Sequence, residues 1–559
     1  MSLENSEQYA LSVNLLNGHR FNLEANKNYI MPNEVWEAKK NNPQAVAELV
    51  APFVEHHFTN EAPRITELQR YYVGDNDIHY WRNGKSHLGR SDNRVASGFP
   101  KFITNVRTGY MLGNPIKYEF NGSDDKVTEL IDQFNNRNDD AYHNKVMKQN
   151  LSITGRAYEL VYTQPAKQDA NGNYQTADLS IKAIDPATAF VVYDTTIEAN
   201  SLFGVRYYLV DYNNDPVYYI YVYTDDTIFY YQADLTASNG DWQFINQESH
   251  PFQDVPLTEY LNNDNRTGDW ESKLDEIDAY DQGLSEMANS QEDFANAKLK
   301  ITGDIDFSDK ARPVLDNMGN PVLDKDGNEI KVPIVDTADP YIMLKPSIIP
   351  SAAGANTVVT SDASYITKQL NEAGWKIYMD RLAADIHKDT NTPDTSDQNF
   401  GGNASGVAMS YKLWGEDQER SMQEALFTRG LMRRLRLLAT YWFTNGLISN
   451  YQLINDIQPV YTPNLPKNDQ EIVDNLTALT NTGLFSEETL RNYASSVTGV
   501  DSDTEAERMN QQEQSEDLNQ LGNPAPLEPN MAADMQAMQQ PSMQDLFSQI
   551  RNHQKDDQQ

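Results

Sequence analysis

The 559-residue sequence contains no cysteine, which excludes disulfide bonds and thiolate chemistry. It also lacks any apolar run long enough to span a bilayer. The first ten residues, MSLENSEQYA, show no basic region followed by an apolar stretch. We therefore expect a soluble protein, made in a reducing cytoplasm, with no signal peptide and no membrane segment.

Positive charge is scarce in this chain. Its 45 lysines and arginines stand against 82 aspartates and glutamates, so the formal net charge is −37. This excess of negative charge argues against a protein that binds nucleic acid tightly through its phosphates. The hydrophobic fraction of 39% still allows sizeable cores, although a mean hydropathy of −0.68 indicates that much of the surface is polar and solvated. The 31 tyrosines, against 19 phenylalanines, favour half-buried strands and interfaces.

The residue pattern changes character several times along the chain. Helices and loops are predicted up to about residue 113, and Tyr-, Val- and Ile-rich segments between polar turns predict an antiparallel sheet over about 115–260. Helical spacing then predicts a helix over 271–299, with an apolar stripe formed by Ile277, Tyr280, Leu284, Met287 and Phe294. A second helix is predicted over 362–388, with one apolar face formed by Ile366, Leu370, Ala373, Ile377 and Ala384.

The insert between these two predicted helices, residues 300–361, is rich in turns. Asp316 and Asp324 are each followed three residues later by glycine and then asparagine, a pattern that predicts two hairpin turns. A calcium loop starting at Asp324 would need glutamate at its twelfth position, which is Val335. Hairpin turns are therefore favoured over a metal site.

The C-terminal part begins with a polar, glycine-bearing loop over 389–404. A long helix is predicted after it, from about residue 406 to 445, followed by a short helical pair before residue 500. Beyond residue 501 the composition is rich in Gln, Asn, Met and Pro, which predicts a disordered tail.

Motifs that suggest catalysis fail on their spacing. Gly84-Lys85-Ser86 imitates the end of a phosphate-binding loop, but the required earlier glycine is His79. The pair His56-His57 has no third metal ligand nearby in the sequence, and Ser405 does not lie in a nucleophile elbow. We predict no catalytic residue, no metal ligand and no cofactor.

Arg429, Arg433, Arg434 and Arg436 form the densest basic cluster, and Arg429, Arg433 and Arg436 share one face of the predicted long helix. Two interpretations stay open for this cluster. The arginines pair with carboxylates of the same chain or of a neighbouring subunit, or they contact phosphates.

Several segments in order along the chain carry a resemblance. They are RYYVGDNDI (70–78), GYMLGNPIKY (109–118), IDPATAFVVYD (184–194), HPFQDVPLTEYLNND (250–264) leading into IDAYDQGLSEMANSQEDFANAKL, and ASGVAMSYKL (404–413). Together they resemble the portal proteins of tailed bacteriophages, in the branch of long-tailed phages of Gram-positive bacteria. The likeness covers roughly residues 60–450; the extreme N-terminus and the Gln/Met-rich tail lie outside it.

The resemblance implies an α+β subunit of named parts. These are a mixed helix and antiparallel-sheet wing (1–270), two stem helices (271–299 and 362–388), a β-hairpin clip with its return connection (300–361), a tunnel loop (389–404), a long spine helix with a wing return (405–465), a helical crown (466–500) and a disordered tail (501–559).

The same resemblance implies a function without enzymatic activity. About twelve subunits form a ring at one capsid vertex, in the virion and earlier in the host cytoplasm during assembly. Double-stranded DNA passes through the ring during packaging and ejection. The implied partners are the terminase large subunit, a head–tail connector or adaptor protein, and the major capsid and scaffolding proteins, with no membrane.

Site residues are expected in three parts of this architecture. The tunnel loop would face DNA through Lys388, Asp389, Thr390, Asn391, Asp397, Gln398, Asn399, Gly401, Gly402 and Asn403. The stem would line the channel with acids that repel DNA, namely Asp275, Asp278, Asp281, Glu286 and Asp293. Clip docking would use Asp316, Asn320, Asp324, Lys325 and Asn328.

Two other functions compete with this interpretation. A metal-dependent DNA-processing enzyme would gather some of the acidic residues into a tight cluster that binds divalent ions. A virion scaffold protein that forms no ring would draw its best support from the acidic tail.

Overall fold

The fold is seen in a computed structural model, which describes residues 23–81, 91–120, 122, 125–164, 177–212, 215–235, 242–295, 298–302, 304–305, 311–316, 318–333, 344–349, 354, 357–366, 372–394, 411, 413–464, 469–500 and 502–521. The chain divides into two units, Met1–Leu465 and Pro466–Gln559.

The first unit contains helices of very different lengths. Those described are α1 (Asn33–Glu37), α2 (Pro43–His56), α3 (Ala62–Val73), α4 (Phe99–Leu112), α5 (Asp125–Asn138), α6 (Asp140–Thr154), α7 (Leu274–Ala295), α8 (Glu372–Asp389) and α9 (Trp414–Thr444). Local chemistry sets their ends. The Asn42 side chain accepts hydrogen bonds from the amides of Gln44 and Ala45 at the start of α2, and Gly74 ends α3 in the left-handed region, with φ of 89°.

Strands fill the stretch between these helices. Those described are β1 (Tyr29–Ile30), β2 (Lys117–Phe120), β3 (Arg156–Thr163), β4 (Leu179–Ile184), β5 (Ala189–Tyr193), β6 (Ser201–Tyr212), β7 (Asp215–Tyr223), β8 (Thr227–Ala233), β9 (Gln243–Ser249), β10 (Leu257–Leu261), β11 (Lys298–Thr302), β12 (Asp304–Ile305), β13 (Ala311–Pro313), β14 (Lys331–Pro333), β15 (Leu344–Lys345), β16 (Ser347–Ile349), β17 (Thr357–Val359), β18 (Asp362–Ile366) and β19 (Ile457–Val460).

Two sheets dominate the described part of this unit. The larger has the strand order β1-β5-β6-β7-β8-β9, in which β5 to β9 are antiparallel neighbours and β1 pairs parallel with β5. The smaller has the order β10-β3-β4 and is antiparallel throughout, so β10 lies at its edge. The antiparallel strands predicted from the tyrosine-rich segments are therefore confirmed, in two sheets, and α5 and α6 interrupt the predicted stretch before β3.

Apolar side chains from both element types form the core. Under the larger sheet, the ring of Trp36 in α1 lies 4.6 Å from that of Phe203 in β6, and both side chains are buried. A second cluster surrounds the last turns of α9, where Leu438 and Trp442 pack with Phe134 of α5. Each such side chain contributes about 1.5–3 kcal/mol on burial. The α+β class expected from the sequence is thus confirmed.

The predicted second stem helix starts ten residues too early. Residues Asp362–Ile366 form β18, which pairs antiparallel with β11 so that Lys298 lies opposite Ile366, and α8 begins only at Glu372. Ladder hydrogen bonds to β11 outweigh the helical spacing seen in the sequence, because each strand satisfies the other's backbone groups. The first stem helix is shorter than predicted and spans Leu274–Ala295.

The second unit contains α10 (Asp469–Thr482), α11 (Glu487–Thr498) and α12 (Ser502–Leu521). The predicted helical pair is present, and the Ser486 hydroxyl accepts from the amide of Thr489 at the start of α11. The tail, however, was predicted to be disordered from residue 501, and this is wrong for α12. Asp503 and Glu505 in its first turn favour the helix through the macrodipole.

A search of the described helices found none that is long and apolar enough to cross a lipid bilayer.

Candidate functional site

The segment between α8 and α9 starts and ends at one buried arginine. Arg107 of α4 donates through Nη2 to the carbonyl of Thr390, directly after α8. Its Nη1 lies 2.8 Å from Oε2 of Glu416, in the first turn of α9. Asn391 has φ of 51°, and its Oδ1 lies 3.2 Å from the position that a Cβ on Gly415 would take. The departing and returning chains are therefore fixed together at their base.

A network of buried charges surrounds this arginine. Asp269 Oδ2 lies 3.9 Å from Nε of Arg107 and 3.8 Å from Nζ of Lys148, which is itself fully buried. Lys148 donates to the side-chain oxygens of Asn262 and Gln423, at 3.0 and 2.7 Å. The network thus joins α4 and α6 to the start of α9.

Burial acts in the same direction on both acids in this network, but their pKa values shift in opposite directions. It raises the pKa of Glu416 to about 7, and the nearby Arg107 offsets only part of that rise. For Asp269, burial acts in the same direction, but Lys148 and Arg107 hold its pKa below the ordinary value. Glu416 is therefore the member of the network that gains and loses a proton near neutral pH.

Of the predicted tunnel-loop residues, only the four from Lys388 to Asn391 lie among the described residues. Lys388 and Asn391 are exposed, and Asp389 ends α8, where it accepts from Lys273 Nζ at 2.5 Å. The expectation that Thr390 faces DNA is wrong, because its side chain is buried and its hydroxyl donates to the carbonyl of Ile386 at 2.8 Å. The others lie outside the described residues, namely Asp397, Gln398, Asn399, Gly401, Gly402 and Asn403.

One face of α7 is polar and buried against an extended segment, residues 91–98. The amides of Ser97 and Val95 donate to Asp281 Oδ1 and Ser285 Oγ at 2.7 and 2.9 Å, and the amide of Asn93 donates to Asn289. A step of two residues in an extended chain covers about 6.7 Å, close to the 6 Å of four residues in a helix. The two spacings match, so α7 acts as the hydrogen-bonding partner of this segment.

This ladder overturns one of the channel-lining predictions. Asp281 is fully buried and accepts from the Asn76 side chain at 2.6 Å as well as from the amide of Ser97, so it cannot line an open channel. The apolar stripe predicted for this helix also differs from the structure, because one of its members, Met287, is 38% exposed. Sequence reasoning could have noticed that Asp281, Ser285 and Asn289 recur every four residues on one helix face.

The other predicted stem acids occupy different environments. Asp275 is exposed and Glu286 is half-buried, whereas Asp278 accepts from the Tyr71 hydroxyl at 2.6 Å. Asp293 lies in α7, but its side chain lies outside the described residues. No lysine or arginine occurs in the sequence of α7, so the helix is uniformly acidic.

The two predicted hairpin turns of the insert are present and alike. Asp316 Oδ1 accepts from the amides of Met318 and Asn320 at 2.8 and 2.9 Å, and Asp324 Oδ1 accepts from the amides of Asp326 and Asn328 at the same distances. These amides lower the pKa of both aspartates. Both turns are exposed, with Asn320, Lys325 and Asn328 at the surface.

The predicted arginine cluster does not act as a unit. Arg433 is half-buried and donates to Ser201 Oγ, Asp254 Oδ1 and the carbonyl of Val255 at 2.6, 2.9 and 3.1 Å. Arg429 and Arg436 are exposed, and neither guanidinium has an ion pair or hydrogen bond to any described residue. Of the three arginines on the shared face, the internal-pair interpretation therefore holds for Arg433 and not, among the described residues, for Arg429 or Arg436.

Arg434 belongs to the same predicted cluster but lies off the face that the other three arginines share, and sequence reasoning gave it no separate role. It is 1% exposed and donates to Asp140 Oδ1 at 2.6 Å, to Asn144 Oδ1 at 2.8 Å and to both oxygens of Glu159. Burial alone would raise the pKa of Glu159, but Arg434 and His143 lower it to about 2. The burial of Arg434 could be predicted from the sequence, because Arg434 lies on the same helix face as two leucines, at 431 and 438.

No three histidine, aspartate or glutamate side chains come together as a metal-ligand set in the part of the chain that the structure describes.

Comparison with known proteins gives one consistent answer. The family model for phage portal proteins of the SPP1 Gp6-like type matches residues 52–518. The portal protein of Bacillus phage SPP1 is 23% identical over 476 residues, which cover 81% of this chain and 84% of that protein. The portal protein of Clostridium phage phiCD119 is 21% identical over 425 residues, covering 73% and 84%.

The matched range contains strands β2 to β19, α7 and α8, and the buried base that joins α8 to α9. The chain therefore belongs to the SPP1 Gp6-like family of phage portal proteins.

Proposed function

We propose that this chain is the subunit of a portal ring of about twelve copies, which stands at one capsid vertex and conducts double-stranded DNA. The ring docks the terminase large subunit during packaging and a head–tail connector or adaptor protein afterwards. Around it lie the major capsid and scaffolding proteins, and DNA leaves by the same channel at ejection. The family match over residues 52–518 supports this function, and the outer face of α8 supports a ring.

That outer face carries the apolar residues that the sequence predicts for helix packing. Ile377 is 70% exposed and Tyr378 is 47% exposed, with Ala373 and Ala384 exposed on the same helix. The opposite side of α8 already packs on α7, where Met379 meets Gly283. An apolar stripe that the described residues of its own chain leave in water favours coverage by another chain.

A neighbouring copy offers a suitable cover. Its α7 is acidic throughout and exposes Met287, while the exposed face of α8 carries Lys376, Arg381 and Lys388. Packing α8 of one copy on α7 of the next is a head-to-tail contact, which closes into a ring when the rotation permits. Asp275, Asp278, Glu286 and Asp293 then border the channel, where their charge keeps DNA from binding tightly.

Replacing Ile377 with aspartate tests this contact. The variant places an unpaired charge in the proposed interface, so we expect the ring to be lost and monomers to dominate at micromolar concentration. Native mass spectrometry measures the outcome. Ile197→Asp is the matched control, because Ile197 is fully exposed at a hairpin and should leave the ring intact. A ring formed equally well by both variants would refute the proposed contact.

The tunnel loop and the clip complete the proposal. The loop over 389–404 projects from the rigid base at Arg107 into the channel and contacts DNA with polar side chains. The exposed hairpin turns of the clip present Asp316, Asn320, Asp324, Lys325 and Asn328 to the packaging motor.

Charge reversal at the clip tests the docking part separately. Lys325→Glu should weaken binding of the terminase large subunit by about tenfold and leave the mass of the ring unchanged, because Lys325 is exposed at a turn. Surface plasmon resonance with the purified motor subunit measures the change. Lys182→Glu, at an exposed position on β4, is the control. Equal binding by both variants would remove Lys325 from the docking surface.

A further inference from the structure

A cleft of about 500 Å³ separates α9 from the edges of the two sheets in the first unit. Its walls are α9, strand β10 and the turn between β5 and β6, and Asn28 lies at its rim. Arg429 and Arg436 belong to its lining, and neither has a charged partner among the described residues. The cleft therefore presents two free cations in a chain of net charge −37.

Strand β10 brings an open backbone edge to this cleft. The amide of Val161 donates to the carbonyl of Pro256, and the amide of Asn262 donates to the carbonyl of Gly155. By the antiparallel alternation, the even-numbered residues of β10 therefore form the hydrogen bonds to β3. The amides and carbonyls of Leu257, Glu259 and Leu261 then point away from β3. Among the described strands, none pairs with that side of β10.

A buried hydroxyl marks the same strand. Thr258 lines the cleft and is 1% exposed, yet its Oγ1 has no hydrogen-bond partner among the described residues. A buried polar group without a partner destabilises the fold, so a group that hydrogen-bonded to it would be favoured there. An open strand edge, an unsatisfied hydroxyl and two free arginines together fit an extended peptide that carries carboxylates.

The first residues of this chain have that chemistry. The stretch from Tyr9 to Leu15 alternates apolar and small or polar residues, YALSVNL, a pattern typical of a strand. Glu4 and Glu7 precede it and supply two carboxylates. Arg429 and Arg436 are the cations in the cleft that such carboxylates would meet.

The reach is short. Leu23 begins the described part of the chain, and Asn26 donates to the carbonyl of Asn265 and accepts from Arg156, whose other partner Glu259 belongs to β10. Asn28 is itself at the cleft rim. We propose that the N-terminal segment of the same chain docks in this cleft, with residues 9–15 paired to the open edge of β10 and with Glu4 and Glu7 on Arg429 and Arg436.

Hydrogen exchange on the full-length chain tests the proposal without reference to DNA or to a ring. Deleting residues 2–16 should raise the exchange rates of the amides of Leu257, Glu259 and Leu261 about tenfold or more, while deleting residues 540–559 should leave them unchanged. Unchanged exchange in the N-terminal deletion would overturn the proposal.

Charge exchange tests the contacts themselves. Arg429→Glu with Arg436→Glu should raise exchange at the same three amides, and adding Glu4→Arg with Glu7→Arg should restore protection. A synthetic peptide of residues 1–22 should also bind the N-terminally deleted chain and restore protection of β10. No rescue by the charge exchange and no peptide binding would overturn the proposal. Protection that vanishes on dilution to monomers would show instead that a second copy supplies the segment, and would overturn docking within one chain.

Discussion

Arg434→Met is expected to lower the free energy of unfolding of the first unit by about 3–5 kcal/mol. The guanidinium is 1% exposed and holds Glu159, Asp140 and Asn144 together. Its removal leaves two carboxylates in the interior without a cation. The free energy lost in this way exceeds what the apolar methionine recovers by packing. Urea denaturation followed by tryptophan fluorescence measures the change, since Trp442 lies near the network on the same helix.

A surface arginine provides the matched control. Arg137 is 48% exposed and pairs with Asp178, so Arg137→Met should cost no more than about 0.5 kcal/mol. The double variant Arg434→Met with Glu159→Gln should recover part of the lost stability, because it removes one of the orphaned charges. Equal stability of the Arg434 and Arg137 variants would contradict the role assigned to the buried network.

The pH dependence of this difference has a definite sign. The pKa of Glu159 falls from 4.5 to about 2 in the folded chain, so its pairing contributes stability that is present above pH 4.5. That contribution is lost as the pH falls through about 2. The gap between wild type and Arg434→Met should therefore narrow below pH 4.5, and a gap that widened on acidification would contradict the assignment.

Glu416→Gln is expected to remove a loss of stability that the wild-type chain suffers between about pH 4.5 and pH 7. Burial raises the pKa of Glu416 from 4.5 to about 7, so the folded chain favours the protonated carboxyl. The stability from this group is complete below pH 4.5 and is lost as the pH rises through 7. At 1.36 kcal/mol for each pH unit, the loss reaches about 3 kcal/mol at pH 8.

The amide variant keeps the shape of the buried carboxyl without its charge. We expect it to exceed wild type in stability at pH 8 and to match it at about pH 4, with slower hydrogen exchange in the first turn of α9 at the higher pH. Glu372→Gln, at an exposed position on α8, is the control and should leave the pH profile unchanged. Parallel pH profiles for wild type and Glu416→Gln would contradict the titration of Glu416 at the loop base.

The sequence predicts most of the regular structure because that structure depends on local patterns. Tyrosine-rich alternation between polar turns identifies β6 to β8, and aspartate followed by glycine and asparagine identifies the turns at Asp316 and Asp324. The order of the resembling segments identifies the portal family. These features need no knowledge of distant contacts.

Features that depend on distant partners leave at most a partial signal in the spacing of residues, and the partner decides the outcome. The start of α8 moves to Glu372 because β11 pairs with β18, some 60 residues further along the chain. Asp281 resembles the exposed acids around it until residues 91–98 occupy the same face of α7. Arg434 resembles its surface neighbours until Glu159 and Asp140 meet it in the core. In each case a contact between remote segments decides which side of an amphipathic element is buried.

The central claim is that this chain forms a ring, and the most direct measurement is the mass and symmetry of the purified full-length protein. Native mass spectrometry should show a closed assembly of about twelve copies, and negative-stain class averages should show a central hole. A monomer or dimer that persists after scaffolding and capsid proteins are added, and that cleaves DNA with magnesium, would contradict the claim and favour a metal-dependent DNA-processing enzyme.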